Sequence, residues 1–489
     1  MELSSLLSHV YNTSAYRALK AVLLEGREEL SGWLTGLLPL PKSYLAAALV
    51  SEPAPLPNGQ AGSRGSASAS GPVLVVAPGE RAARAMVDDL LTLLPADKVA
   101  LFPALELWPH EQLGEALQVR QARLQVLTRL LKGDRFVVVA PVAALVQALI
   151  PPEVFRDGLW HLKVGERCPL EDVVAFLTRA EYSRVLRVEG PGEFSVRGDV
   201  LDIWPPSDED PLRVEFFDDE VEALRRFDPQ SQRSTVSLES ALVTPARETL
   251  LPARREEALR ALEAAGQQQA ERWRKLGNAQ AAEEILKRCR EAVERLRETG
   301  MFNGGQQFLP FFYPKLAHLS DYLPRRAIVI IDEPVRLREQ ATLYISDFAQ
   351  AHSQQLEKGH VLPEEMKLCL DWDDVVRTLR GRRGVCFSAV QKTATGFEGI
   401  PVYTVSSRSP EHVNGNMERF ADLVREWLRG GFRISMLAST QQRLERLREV
   451  LDGEGLSYRI LPASQAAEGQ QATSGAAAMP NSETKRPMC

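Results

Sequence analysis

The apolar positions of this chain follow two different periods. Residues 5–30 place Leu6, Leu7, Val10, Tyr11, Tyr16, Leu19, Val22 and Leu23 at helical spacing, and a second helix-like run covers 44–50. Short unbroken apolar runs follow at Val73–Ala77, 99–102 and 136–140. Runs of that length without alternation read as strands buried on both faces. Helical stretches at 80–94 and 112–132 separate them. Strands alternating with helices predict a parallel sheet in an α/β domain.

The period changes after Pro151-Pro152. Phe194, Val196, Val200, Leu201, Ile203, Val214, Phe216, Val221, Leu224 and Phe227 fall on a two-residue alternation, which predicts antiparallel strands. Asp218-Asp219-Glu220 sits between two of these runs and reads as a solvated hairpin turn rather than a metal site. Residues 254–299 read as long polar-faced helices interrupted near Leu276-Gly277-Asn278. An apolar strand follows at 327–331. A last unit shows a strand at 432–438, a helix at 441–451, a stop at Gly453 and Gly455, and a strand at 458–461.

Two segments cannot form a core. Residues 51–71 are rich in Pro, Gly, Ser and Ala and predict a mobile insertion; residues 464–489 predict a disordered tail. The expected organisation is therefore an α/β domain beginning at 1–150 and an α+β domain at 151–240. A helical segment returns to the first domain at 241–345, a second small α/β domain covers 346–463, and the tail follows at 464–489.

Composition narrows the function. The chain has 489 residues, 25% charged, with a net charge of −6, which disfavours binding nucleic acid by bulk charge. Five cysteines, Cys168, Cys289, Cys369, Cys386 and Cys489, are too widely spaced for a metal knuckle or a disulfide framework. The seven histidines form no HExxH, so no metal site is expected. The amino terminus has no signal-peptide pattern, and no apolar run approaches the roughly 20 residues that span a bilayer. A cytoplasmic protein with no membrane partner is expected.

Three motifs carry possible chemistry. The first, Gly36-Leu37-Leu38-Pro39-Leu40-Pro41-Lys42-Ser43, has the spacing of a phosphate-binding GxxxxGK[ST] loop, with Pro41 at the second Gly. Such loops work by converging backbone N–H groups on phosphate oxygens. Proline has no N–H and fixes φ, so Pro39 and Pro41 remove donors and the site reads as broken. The second motif is the strand at 327–331 running into Asp332-Glu333, the form in which carboxylates hold Mg²⁺ and polarise water. Together these two suggest a RecA-like fold with a decayed nucleotide site built from Gly36, Pro41, Lys42, Ser43, Asp332 and Glu333. No catalytic residue is expected to operate.

The third motif is the most specific. GEFSVRGDVLDIWP, followed by RVEFFDDEVEALRRFDPQSQ within residues 181–233, resembles the segment shared by the excision-repair subunit UvrB and the transcription-repair coupling factors. The stretches around Trp108-Pro109 and at Phe308-Leu309-Pro310-Phe311-Phe312-Tyr313 resemble the coupling factors more than UvrB. The resemblance covers roughly residues 5–463. It implies that the 151–240 domain docks onto UvrA, and Arg184, Arg187, Phe194 and Arg197 are the expected contact residues, arginines beside an aromatic being common hot spots.

Coupling factors are roughly twice this long. RNA polymerase, DNA, ATP and magnesium belong to their later polymerase-interacting, motor and masking domains. The expectation for this chain is thus a truncated adaptor that recruits UvrA and holds no cofactor, as a fragment, a split-gene product or a frameshift product. Two rivals stand beside it: an NTPase using Lys42, Ser43, Asp332 and Glu333, and a direct binder of damaged DNA.

Overall fold

The computed structural model describes residues 7, 9–25, 29–51, 71–106, 116–250, 252, 255–299, 306–390, 394–411, 413, 416–436, 438 and 440–460. Most of the expected mobile insertion, the stretch around Trp108 and the tail lie outside the described residues.

Helix α1 (Ser14–Glu25) leads into strand β1 (Leu30–Thr35) and helix α2 (Pro39–Ser51). Strand β2 (Val73–Ala77), helix α3 (Glu80–Leu93), strand β3 (Val99–Leu101), helix α4 (Leu117–Lys132) and strand β4 (Val137–Pro141) follow. The chain then builds a separate six-stranded sheet, described below, before returning. Two antiparallel long helices come next in this body, with Gly277 in the left-handed region (φ 78°) at the break expected there. Strand β13 (Ile328–Asp332) and strand β14 (Gly384–Ser388) complete the middle of a seven-stranded sheet, and β15 (Val402–Thr404) forms its edge, in the order β15-β1-β14-β13-β2-β4-β3. All its pairings are parallel.

Alternate residues of the central strands feed two cores. Leu74, Val76, Val138, Ala140, Val329, Ile331 and Cys386 face one core. Val73, Val75, Val137, Val139, Ile328, Ile330, Val385 and Phe387 face the other, against α1, α2 and α3. Burial on both faces is why these strands read as unbroken apolar runs. With β14 set between the strand before Gly36 and the strand ending at Asp332, the order is that of a RecA-like sheet. The thiols of Cys289 and Cys369 are buried here, which pushes each up to about 12 and leaves them unreactive.

Two expectations fail. Residues 346–463 do not form their own α/β domain, because β14 and β15 are strands of the main sheet. Gly384 lets β14 enter: a Cβ there would stand 2.1 Å from the Val329 carbonyl oxygen and 3.2 Å from Leu30. Gly384→Ala should therefore cost roughly 1–3 kcal/mol, as overpacking does, read as a lower urea midpoint. The strands expected at 432–438 and 458–461 are also not formed among the described residues. No sheet edge reaches them, and Phe432 is 64% exposed. Instead, two helices, Met417–Arg429 and Gln441–Gly453, close this end.

The six-stranded sheet contains β6 (Ser183–Arg184), β7 (Glu193–Arg197), β8 (Val200–Ile203), β9 (Leu212–Phe217), β10 (Glu220–Phe227) and β11 (Ser234–Leu238) in the order β11-β10-β9-β8-β7-β6. Asp218 (φ 56°) makes the turn between β9 and β10. β12 (Ser240–Val243) pairs with β5 (Trp160–Lys163). The helix Leu170–Arg179 covers one face, and Val173, Phe176 and Leu177 pack on Leu201, Ile203, Val214, Phe216 and Leu224. This is the expected inserted α+β unit.

Candidate functional site

The carboxyl ends of parallel strands are where open α/β sheets place their ligands. Here that edge gathers Gly36, Lys42, Asp332 and Glu333. Gly36 turns the chain at the end of β1 with φ 87°, a conformation open to glycine. The residues after β15 cross directly over this turn. A Cβ on Gly36 would stand 2.0 Å from the Val405 carbonyl oxygen. Val405 N–H donates to the Thr35 oxygen at 2.8 Å, and Ser407 Oγ donates to the Gly36 oxygen at 2.6 Å. Leu37 N–H donates to the Ser388 oxygen and Leu38 N–H to Ser407 Oγ, at 3.0 and 2.9 Å.

Helix α2 begins earlier than its apolar pattern suggests, at Pro39 rather than Tyr44. Prolines fit a first helical turn because those N–H groups lack intrahelical partners anyway. Pro41 therefore lies in a helix, and the open loop expected over 36–43 is reduced to the Gly36 turn and Leu37-Leu38.

Lys42 is only 3% exposed. Its Nζ donates to Asp332 Oδ1 and to Glu333 Oε1, both at 2.6 Å. Glu333 sits at φ 51°, and its Oε1 also accepts from Ala389 N–H at 2.7 Å. Burial raises the Asp332 carboxyl above its ordinary range, and Lys42 opposes that shift. Ser43 is not part of this cluster: its Oγ donates to Asp89 Oδ2 on α3 at 3.1 Å. The arrangement is a closed ion cluster of one ammonium and two carboxylates, capped by the chain's own backbone.

The second expected site lies on the six-stranded unit. Arg184 and Arg187 are exposed, and Arg184 makes no side-chain hydrogen bond or ion pair among the described residues. Arg187 donates to the Gln230 oxygen at 3.0 Å. Arg197 is half exposed, and its Nη2 donates to Asp202 Oδ2 at 2.5 Å. Asp202 is buried and also takes Arg213 Nε at 2.7 Å and Nη2 at 3.0 Å. Phe194, expected at the surface, is 1% exposed and lies in the core. It pairs across to Ile203 and points inward with it, so it cannot touch a partner. The apolar group on this surface is Leu186, 95% exposed, in the connection between β6 and β7. Ser195 Oγ donates to its carbonyl oxygen at 2.9 Å and holds that connection in place. Sequence reasoning missed Leu186 because one Leu between arginines has no periodicity.

A buried ion pair ties the two units together. Arg123 of α4 is wholly buried, with Nε 2.5 Å and Nη2 2.9 Å from the Glu248 carboxylate. Its Nη1 donates to the Pro103 oxygen at 2.7 Å, and the guanidinium lies 4.1 Å over the Phe102 ring. Gln125, on the same helix, donates to the Ser207 oxygen at 2.8 Å.

Residues 160–248 match the family described as the UvrB interaction domain. The transcription-repair-coupling factor of Bacillus subtilis (strain 168) is 30% identical over 380 residues, 78% of this chain and 32% of that protein. That of Myxococcus xanthus is 30% identical over 324 residues, 64% of this chain and 26% of that protein. The UvrABC system protein B of Francisella tularensis subsp. tularensis is 32% identical over 257 residues, 51% of this chain and 38% of that protein. The chain spans about a third of the length of the coupling factors it matches first. The family match over the six-stranded unit and the identity running through the RecA-like body make this chain similar to a UvrB-like part of the transcription-repair-coupling factors.

Proposed function

We propose that this chain is an adaptor in transcription-coupled nucleotide excision repair, recruiting UvrA through its six-stranded unit, and that it turns over no nucleotide. The observation that carries the docking reading is Leu186, almost fully exposed, beside the exposed Arg184 and Arg187. An exposed apolar side chain rimmed by arginines is the composition of an interface hot spot. Arg197 contributes its outer face, with part of its charge committed to Asp202.

The residues at the sheet edge do not fit a nucleoside triphosphate with magnesium. Lys42 is spent on Asp332 and Glu333, Ser43 on Asp89, and the Leu37 and Leu38 N–H groups on Ser388 and Ser407. That supports a structural role for the cluster and an adaptor without a cofactor. No helix among the described residues is long and apolar enough to cross a membrane.

Titrating the chain with UvrA should give saturable binding that Arg184→Ala with Leu186→Ala weakens by ~2 kcal/mol, roughly thirtyfold. An unchanged affinity in the double variant, or no binding by the parent chain, rejects the docking reading. A phosphate-release assay with and without DNA should stay at background; turnover abolished by Lys42→Ala would establish the NTPase reading instead.

A further inference from the structure

A cleft of about 600 Å³ lies between the RecA-like body and the six-stranded unit. One wall is a face of α4, where Gln125, Thr128, Arg129 and Lys132 recur at i, i+3, i+4 and i+7. The opposite wall is Ser207, Asp208 and Thr244, and the sheet contributes Lys98 before β3 and Arg135 before β4.

The charges in this cleft do not balance. Its four cations, Lys98, Arg129, Lys132 and Arg135, face three carboxylates, Asp97, Asp134 and Asp208. Each carboxylate is already engaged. Asp97 meets Lys98 at 3.5 Å, Asp134 meets Arg129 at 3.5 Å, and Asp208 meets Arg226 from outside the cleft at 3.1 Å. Arg129 is further fixed, donating to the Asp97 oxygen at 2.5 Å and stacking 3.7 Å over Phe136. Lys132 has no ion pair or hydrogen bond among the described residues. Thr128, on the same wall, is 5% exposed, and its hydroxyl has no partner. An ammonium that touches no carboxylate directly and acts on Asp208 only from a distance, set beside further cations, is what an anion with several acceptor oxygens needs.

Size and lining set the ligand class. The volume exceeds that of a bare phosphate and falls within the range of small-molecule sites. Among the lining residues only Leu242 is apolar, so an acyl or aromatic body finds little to rest on.

We propose that this cleft binds a small phosphate ester with a hydroxyl-bearing body, of the sugar-phosphate class, with Lys98, Lys132 and Arg135 around the phosphate. The ligand bridges the two units and stiffens the joint through which the UvrB-like domain is carried. The site is independent of the UvrA reading, and UvrA titrations of the same variants tell the two apart.

The test uses the full chain at constant ionic strength, with ribose 5-phosphate as the probe and inorganic phosphate as the control. Ribose 5-phosphate should bind saturably, at least tenfold more tightly than inorganic phosphate, and raise the melting temperature. Lys132→Gln, at an exposed helix end that tolerates the change, and Lys98→Gln should each weaken binding at least fivefold and reduce the thermal shift. Absence of saturation by about 10 mM, or affinity unchanged in both variants, overturns the proposal. Inorganic phosphate binding equally well overturns the assignment of an organic body. Displacement of ribose 5-phosphate by a tighter-binding hexaglutamate peptide assigns the cleft to an acidic protein segment and overturns it as well.

Discussion

Lys42→Ala is expected to destabilise the folded chain by about 3–5 kcal/mol while leaving phosphate release at background. Removing one partner of a buried charge cluster leaves the others uncompensated, and the cost is large for that reason. In this chain the substitution would strand Asp332 and Glu333 side by side behind β14 with no cation between them. In an active P-loop protein, the same substitution abolishes turnover because that lysine serves phosphate. The two readings therefore predict opposite phenotypes for one change.

The pH dependence gives a second reading of the same experiment. The folded Asp332 carboxyl titrates above its ordinary value because of burial, with Lys42 pulling it back. A raised carboxyl means the folded state holds the proton more tightly, so this group works against stability as pH rises. Without Lys42 the shift grows. The deficit of the variant should be full above the raised folded value and shrink as pH falls through it, read as converging urea midpoints. A deficit that widens on acidification would show that the cluster is not held this way.

Arg123→Ala is expected to cost a comparable amount, about 3–5 kcal/mol, for a related reason. The wholly buried guanidinium leaves behind a buried Glu248 carboxylate and an empty space over Phe102. The loss should be concentrated at the joint, with amide hydrogen exchange accelerating across residues 160–248 before the seven-stranded sheet opens. Arg123→Met combined with Glu248→Leu should recover much of the stability, since apolar pairs of similar volume often replace buried ion pairs without loss. If the single variant keeps its midpoint and its exchange pattern, the ion pair is not what holds the two units together.

The sequence made part of this structure legible and hid the rest for identifiable reasons. Strands β2, β4 and β13 were readable because burial on both faces writes an unbroken apolar run. The antiparallel unit was readable because one-sided burial writes an alternation. Phe194 misled because alternation says which residues share a face, not which face is covered, and the helix Leu170–Arg179 covers that one. The residues of β14 fall within the range expected for a separate domain, because the strand's place between β1 and β13 is a non-local fact that neighbouring residues do not encode. Lys42, Asp332 and Glu333, which the motifs single out, lie in contact at the sheet edge. That they meet each other with no open loop in front of them depends on Val405 and Ser407, which carry no motif.

That strand order also bears on how the chain is made. Among the described residues β1 finds its only sheet partners in β14 and β15, and Trp33 Nε1 reaches Ser388 Oγ across 355 residues of chain. At ~5–20 residues per second of synthesis, the strand at 30–35 waits tens of seconds on the ribosome with both edges bare. Nascent chains halted anywhere before the mid-380s would display an apolar, unpaired strand, which is the kind of surface chaperones and aggregates both recognise.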